Sequence, residues 1–156
     1  MLKIVGAKYK KEISIVKKLF LEYEKSIGCD LCFQNFNEEI SKLPWQYAEP
    51  TGMLFLALYN NKTAGCAALR KLTKNSCEMK RLYVRKRLRG NGIGKKLVNK
   101  LINDAIRMGY KDMKLDTLPS MKEAIFFYKS LGFKIIKPYR HNPIKGAQFM
   151  QLDLKK

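Results

Sequence analysis

Three glycines alternate with other residues in Arg89-Gly90-Asn91-Gly92-Ile93-Gly94, between a segment of strand character and one of helical periodicity. Glycine alone accepts left-handed backbone conformations without steric cost, so such a run can turn tightly and aim successive N–H groups into one concavity. The helix that follows begins with unpaired N–H groups and the positive end of its dipole. Arg85, Lys86, Arg87, Arg89, Lys95 and Lys96 surround the turn. A strand, a glycine turn and a cation-rich helix start together predict a site for a pyrophosphate. The spacing excludes two common nucleotide motifs. A P-loop needs G-x-x-x-x-G-K-[ST], which is absent, and a dinucleotide fingerprint needs G-x-G-x-x-G, whereas residue 97 is leucine here.

The rest of the chain supplies the frame. Residues 9–27 carry Ile13, Val16, Leu19, Phe20 and Tyr23 at helical spacing, with Gly28 as a stop. A shorter helix is expected from Asn37 as N-cap to Leu43, before Pro44. Met53 to Tyr59 is a nearly continuous apolar strand, Asn60-Asn61-Lys62 a hairpin turn, and Thr63 to Arg70 the returning strand. A third strand spans Cys77 to Val84. A helix from Gly92 to about Met108 shows Ile93, Leu97, Val98, Leu101, Ile102 and Ala105 on one face, with Gly109 as its C′ stop. Met113 to Thr117 is the next strand. Ser120-Met121-Lys122-Glu123 reads as a capping box opening a helix through Ser130. Leu131-Gly132-Phe133 leads into a short strand, and Gln148 to Leu154 closes the chain. This order predicts one α/β domain over 1–156, with a mixed, mostly antiparallel central sheet, a parallel strand–helix–strand crossover and helices on both faces.

Composition narrows the function classes. The chain has 156 residues and a net charge of +19, with 46% hydrophobic residues. Residues 79–156 hold 20 basic and 5 acidic side chains against 12 and 8 in residues 1–78, so an anionic partner belongs to the second half. No apolar run approaches the ~18 residues of a membrane span, and no secretion signal opens the chain, which makes the cytoplasm the expected location. Cys29 and Cys32 form one CxxC without a second pair, and His141 is the single histidine. No metal is therefore expected, and Cys66 and Cys77 read as small core residues.

With those elements in order, the chain resembles the GNAT superfamily of N-acetyltransferases. The family's pyrophosphate motif, Gln/Arg-x-x-Gly-x-Gly/Ala, is matched by Arg89, Gly92 and Gly94. It follows a strand of the family's form, Glu78-Met79-Lys80-Arg81-Leu82-Tyr83-Val84, and precedes the long helix. Downstream, Ala124, Tyr128 and Gly132-Phe133 resemble the second hallmark. The resemblance implies the acyl-CoA N-acyltransferase fold and acetyl-CoA (or coenzyme A) as co-substrate. It implies that backbone groups of Leu82, Tyr83 and Val84 pair with the pantetheine arm as an added strand would. Amides of Arg89, Gly90, Asn91, Gly92, Ile93, Gly94 and Lys95 would hold the pyrophosphate. Tyr128 stands where the family's general acid sits, and Glu78 where several members keep a general-base glutamate. One departure is Met121, where many members have an asparagine; Asp116, Thr117 or Ser120 could supply the missing contact.

The chemistry is consistent with those roles. An amine attacks a thioester only as the free base, and alkyl ammonium groups have a pKa near 10. Strand alternation places Glu78, Lys80, Leu82 and Val84 on one side, so Glu78 could take the proton, orient the substrate, or form an ion pair. A phenol such as Tyr128 can protonate a departing thiolate. The acceptor is expected to be a primary amine of a small molecule or peptide, entering beside residues 26–50 and 136–149. Phe33, Phe36, Trp45, Tyr47, Tyr139, Arg140 and His141 are candidate lining residues. Arg140 would suit an acceptor carboxylate, while Asp30, Glu38 and Glu49 would suit a polyamine or an aminoglycoside. Rival readings are a basic nucleic-acid-binding module and a CoA-binding sensor without catalysis. Nucleic acid is disfavoured because Tyr83 is the one aromatic residue between 80 and 100. A homodimer is compatible with such a domain.

Overall fold

The computed structural model describes residues 1–28, 35–119 and 121–154. In chain order the elements are β1 (Leu2–Gly6), α1 (Lys10–Ile27), α2 (Phe36–Lys42), a 3-10 turn (Trp45–Tyr47), β2 (Met53–Tyr59) and β3 (Lys62–Lys71). Then come β4 (Ser76–Val84), a second 3-10 turn (Lys86–Leu88), α3 (Ile93–Arg107), β5 (Asp112–Thr117), α4 (Lys122–Ser130), β6 (Lys134–Ile136) and β7 (Gln148–Asp153). One seven-stranded sheet has the order β1-β2-β3-β4-β5-β7-β6, and its one parallel pair is β4 with β5. This is the mixed, mostly antiparallel sheet with a crossover that the sequence predicts. No described helix is long and apolar enough to cross a membrane.

Each face of the sheet carries its own core. On one face α3 and α4 bury Ile93, Leu97, Leu101 and Tyr128 against Phe55, Leu69, Met79 and Met113. On the other, α1 and α2 bury Val16, Leu19, Phe20 and Phe36 against Leu54, Leu56 and Ala68. Cys66 and Cys77 are buried free thiols, and burial pushes both thiol pKa values up, that of Cys77 to about 12.

Local signals held where the chemistry is local. Asn60 and Asn61 both take positive φ, 50° and 66°, the backbone a two-residue hairpin turn requires. Gly28 ends α1 in the left-handed region, and Gly109 follows α3 at φ 92°. Glu12 accepts a hydrogen bond from the Tyr9 backbone N–H at 3.1 Å and so closes the start of α1. Three boundaries differ. β1 pairs antiparallel with β2 along Leu2–Gly6, a strand that the sequence pattern does not predict. α2 begins two residues early, after Asn35 in the left-handed region, so Asn37 lies inside the first turn rather than capping it. α4 starts at Lys122 after Met121, which makes no side-chain cap, and Ser120 lies outside the described residues.

The largest departure from the sequence reading lies in β4. Arg81 sits at φ 59°, and the β3–β4 register shifts between Cys66 and Ala68. A bulge of this kind inserts a residue and turns the strand over. Cys77 and Met79 face the α3 core before it; Leu82 and Val84 face that core after it. Glu78 and Lys80 therefore lie on the opposite face from Leu82 and Val84, which corrects the simple alternation expected for all four.

Candidate active site

β4 and β5 pair as parallel strands only from Ser76↔Asp112 to Glu78↔Lys114. Beyond Glu78 they part, and a gap opens between them. Met79, Lys80, Arg81 and Leu82 line one wall, and Leu115, Asp116, Thr117 and Leu118 the other. Tyr128, Met121, Tyr23 and Asn142 complete the lining. The edge of β4 from Met79 to Val84 that faces β5 thus has no strand partner among the described residues, while its other edge pairs with β3. Unpaired strand edges hold N–H and C=O groups that accept an added extended chain.

The glycine turn stands at the end of this edge. Gly90 and Gly92 take φ of 87° and 75°, and Gly92 caps α3 with no side-chain hydrogen bond. The first intrahelical bond at this end runs from Lys96 N–H to the Gly92 carbonyl at 3.1 Å, so the N–H groups of Ile93, Gly94 and Lys95 precede the ladder. Gly94 has helical backbone, and a Cβ there would meet Val84 and Phe127 only at ordinary contact distances, 3.8 and 3.9 Å. Its position places the first turn of α3 beside the end of β4. Asn91 folds back, donating to the Leu88 carbonyl at 2.9 Å. Arg89 Nε donates to the Val84 carbonyl at 2.8 Å, and its guanidinium stacks on Tyr83. Of the cations expected around the turn, Arg85 points away: it is paired with Glu22 at 2.7 Å.

Tyr128 lies in the gap, buried, with Phe127 and Phe133 against its ring. Burial raises its pKa above the ordinary value, so the phenol is protonated at neutral pH. Thr117 Oγ1 is buried without a hydrogen-bond partner among the described residues. Together with Met121, this threonine lines the gap at the place where the sequence lacks an asparagine. Asn142 also lines it, donating to Asp116 at 3.2 Å; sequence reasoning missed it because it lies in an irregular segment.

On the α2 face, behind the gap, lies a second cleft of about 190 Å³. Trp45, Gln46, Tyr47, Arg70, Lys80, Arg140 and His141 contribute to its walls. The expected residues Trp45, Tyr47, Arg140 and His141 are thus brought together. Phe36 is instead buried in the α1 core, Tyr139 stacks on Phe149, and Phe33 lies outside the described residues. Lys80 lies beside Glu78 as strand alternation predicts; nothing in the sequence marks Gln46 or Arg70, which joins them as the cross-strand partner of Glu78.

Glu78 is fully buried, and both its oxygens are engaged. Arg70 Nε donates to Oε1 at 2.7 Å; Tyr139 OH donates to Oε2 at 2.6 Å, and Arg140 reaches the same oxygen at 2.5 Å. Burial alone would raise its pKa, but Lys80, Arg140, Arg70 and the tyrosine bond outweigh it, and the carboxyl sits below its ordinary range. Lys80 lines both spaces, the gap and the cleft. Its burial, aided by Arg81, pushes the ammonium pKa down to about 7. The bulged Arg81 is itself locked by Glu39, with Nε to Oε2 at 2.9 Å and Nη2 to Oε1 at 2.7 Å, and Tyr47 OH donates to the same carboxylate at 2.8 Å.

The sequence model of the acetyltransferase (GNAT) family matches residues 17–133, from α1 through the gap to the end of α4. The chain belongs to this family. An uncharacterized N-acetyltransferase of Schizosaccharomyces pombe is 39% identical over 98% of the chain and 95% of its own length. The fold is that of a GNAT-family acetyltransferase from Staphylococcus aureus, with a TM-score of 0.83 at 23% identity, covering 99% of this chain and 100% of that one. A GNAT-family acetyltransferase from Elizabethkingia anophelis, solved with acetyl-CoA bound, superposes with a TM-score of 0.66 at 21% identity over 98% of both chains.

Proposed function

We propose that this GNAT-family chain is a cytoplasmic N-acetyltransferase that moves the acetyl group of acetyl-CoA to a primary amine by direct attack in a ternary complex. The observation that carries the reading is the parting of β4 from β5 directly before the turn at Arg89–Gly94. It offers one strand edge and one set of helix-start amides in line, the two features a pantetheine arm and a pyrophosphate need. Binding of acetyl-CoA by the Elizabethkingia relative supports the same donor. Backbone groups of Leu82, Tyr83 and Val84 would hold the pantetheine, and Thr117 Oγ1 has an unused capacity for one of its amides. Amides from Arg89 to Lys95 would hold the pyrophosphate.

In the transfer step the amine nitrogen attacks the thioester carbonyl carbon, and the carbon–sulfur bond breaks. The departing thiolate takes the phenolic proton of Tyr128. A phenol raised by burial is a weaker acid than a free one, yet it stays protonated until the thiolate forms beside it. The acceptor ammonium must first lose a proton. Both oxygens of Glu78 are already held by cations and a tyrosine, and its low pKa makes it a weak base. Orienting Arg70 and Arg140 is the role that suits it. Lys80, with its pKa near neutrality and its place on both spaces, is the better proton acceptor, directly or through a water.

The test is turnover of acetyl-CoA with a panel of primary amines, read as free thiol and as acetylated product by mass. Intersecting initial-rate lines are expected, since no enzyme-bound acetyl intermediate is required. If no amine is acetylated and acetyl-CoA does not raise the melting temperature, the proposal fails.

A further inference from the structure

We infer that the cleft on the α2 face takes an amine that carries a carboxylate, held by Arg140 and Arg70 with its nitrogen toward Lys80 and the gap. The inference rests on the acetyltransferase reading and adds the acceptor's chemical class.

Among the described residues the cleft has charged donors to offer and no carboxylate to spare. Each carboxylate at or behind its walls is committed. Glu39 is forked by Arg81 and takes the Tyr47 hydroxyl as well. Glu78 is shared among Arg70, Arg140 and Tyr139. Asp116 faces Arg140 at 3.1 Å and accepts from Asn142. A polyamine or an aminoglycoside would find its ammonium groups facing Arg70, Lys80 and Arg140, with no carboxylate free to receive them among the described residues. Of the three other acidic residues that could draw a polycation, Glu38 pairs with Lys42 at 2.8 Å and Glu49 with Lys8 at 2.7 Å, and Asp30 lies outside the described residues.

The arginines, by contrast, are not used up. A guanidinium has five N–H donors in a fixed fork that matches a carboxylate. Arg70 uses Nε on Glu78 and Nη1 on the Gln46 side-chain oxygen at 2.9 Å. Arg140 pairs Nη1 with Glu78 and Nη2 with Asp116 at 3.1 Å, and about a quarter of its side chain remains exposed. A ligand carboxylate seated between the two side chains would accept from the N–H groups that remain. Glu78, behind, fixes both forks at the angle they present. Cations at this end also disfavour a second positive charge, which lowers the pKa of an acceptor ammonium bound there and assists its deprotonation.

The experiment pairs each acceptor with its amide: aspartate, glutamate, glycine and phenylalanine against asparagine, glutamine, glycinamide and phenylalaninamide, with spermidine as the polycation. Both kcat/KM for transfer and acetyl-CoA binding are measured on the full chain. At least one carboxylate-bearing acceptor should exceed its amide and spermidine by tenfold or more. R140Q should raise the acceptor KM tenfold or more and bring the carboxylate-to-amide ratio toward one, with acetyl-CoA affinity changed less than twofold. R140K, which keeps the charge but loses the fork, should fall between; a merely structural role would lower all acceptors alike. Amides or spermidine equal to or better than carboxylates overturn the inference, as does acetyl-CoA binding without transfer to any carboxylate-bearing amine. In both cases the donor site stands. Absence of acetyl-CoA binding overturns the acetyltransferase reading itself.

Discussion

The bulge at Arg81 turns β4 over and leaves its edge open, and a buried ion pair holds it. Arg81 adopts a left-handed backbone that costs a non-glycine residue about 1–2 kcal/mol. Its guanidinium and the Glu39 carboxylate are 3% and 4% exposed, with two hydrogen bonds between them. Removing one member of such a pair leaves a buried charge uncompensated and costs about 3–5 kcal/mol. For a chain of 156 residues each kcal/mol lowers the melting temperature by about 2–4 °C, so E39Q should fall by about 6–20 °C. R81M should fall by a similar amount, losing also the stacking on Tyr23 and Phe36. With E39M and R81M combined, neither charge is left alone, and adding Y47F removes the hydroxyl that would lose its acceptor. The triple variant should therefore cost at least about 2 kcal/mol less than the sum of its parts. Urea unfolding monitored by circular dichroism measures each variant. Additivity within about 0.5 kcal/mol, or a cost below about 1 kcal/mol for E39Q, would show that the pair does not carry the bulge.

Other consequences are direct. G65A should destabilise strongly, because its Cβ would lie 2.3 Å from the Tyr83 carbonyl oxygen across β3 and β4; thermal unfolding reports the loss. Y128F should lower kcat by about a hundredfold while acetyl-CoA binding is retained, measured by steady-state kinetics beside calorimetry. If Lys80 accepts the proton, it must be neutral to act, so kcat/KM should climb as pH rises through about 7 and level off above it. K80M should lower the rate and abolish that inflection; an unchanged inflection assigns it elsewhere.

The legible parts of this protein were those in which cause and effect lie close in sequence. The glycine turn, the apolar stripe of α3, the two-asparagine hairpin and the inward face of Tyr128 each depend on a few neighbouring residues. Arg81 could not be read so. Its left-handed backbone is stabilised by Glu39, forty-two positions earlier, and nothing local marks it against the alternation of β4. The cluster on Glu78 joins β3, β4 and the segment at 139–140, so the carboxylate's saturation became visible only with the register in place. β1 went unread because five half-buried residues carry too short a pattern to separate from a tail.

The central claim is that the gap between β4 and β5 and the turn beyond it hold acetyl-CoA. Calorimetric titration of acetyl-CoA into the wild-type chain and into R89E tests it most directly. One site per chain is expected, weakened tenfold or more by the reversed charge beside the turn and weakened further by added salt. No binding to the wild type, or equal affinity for both chains, would contradict it.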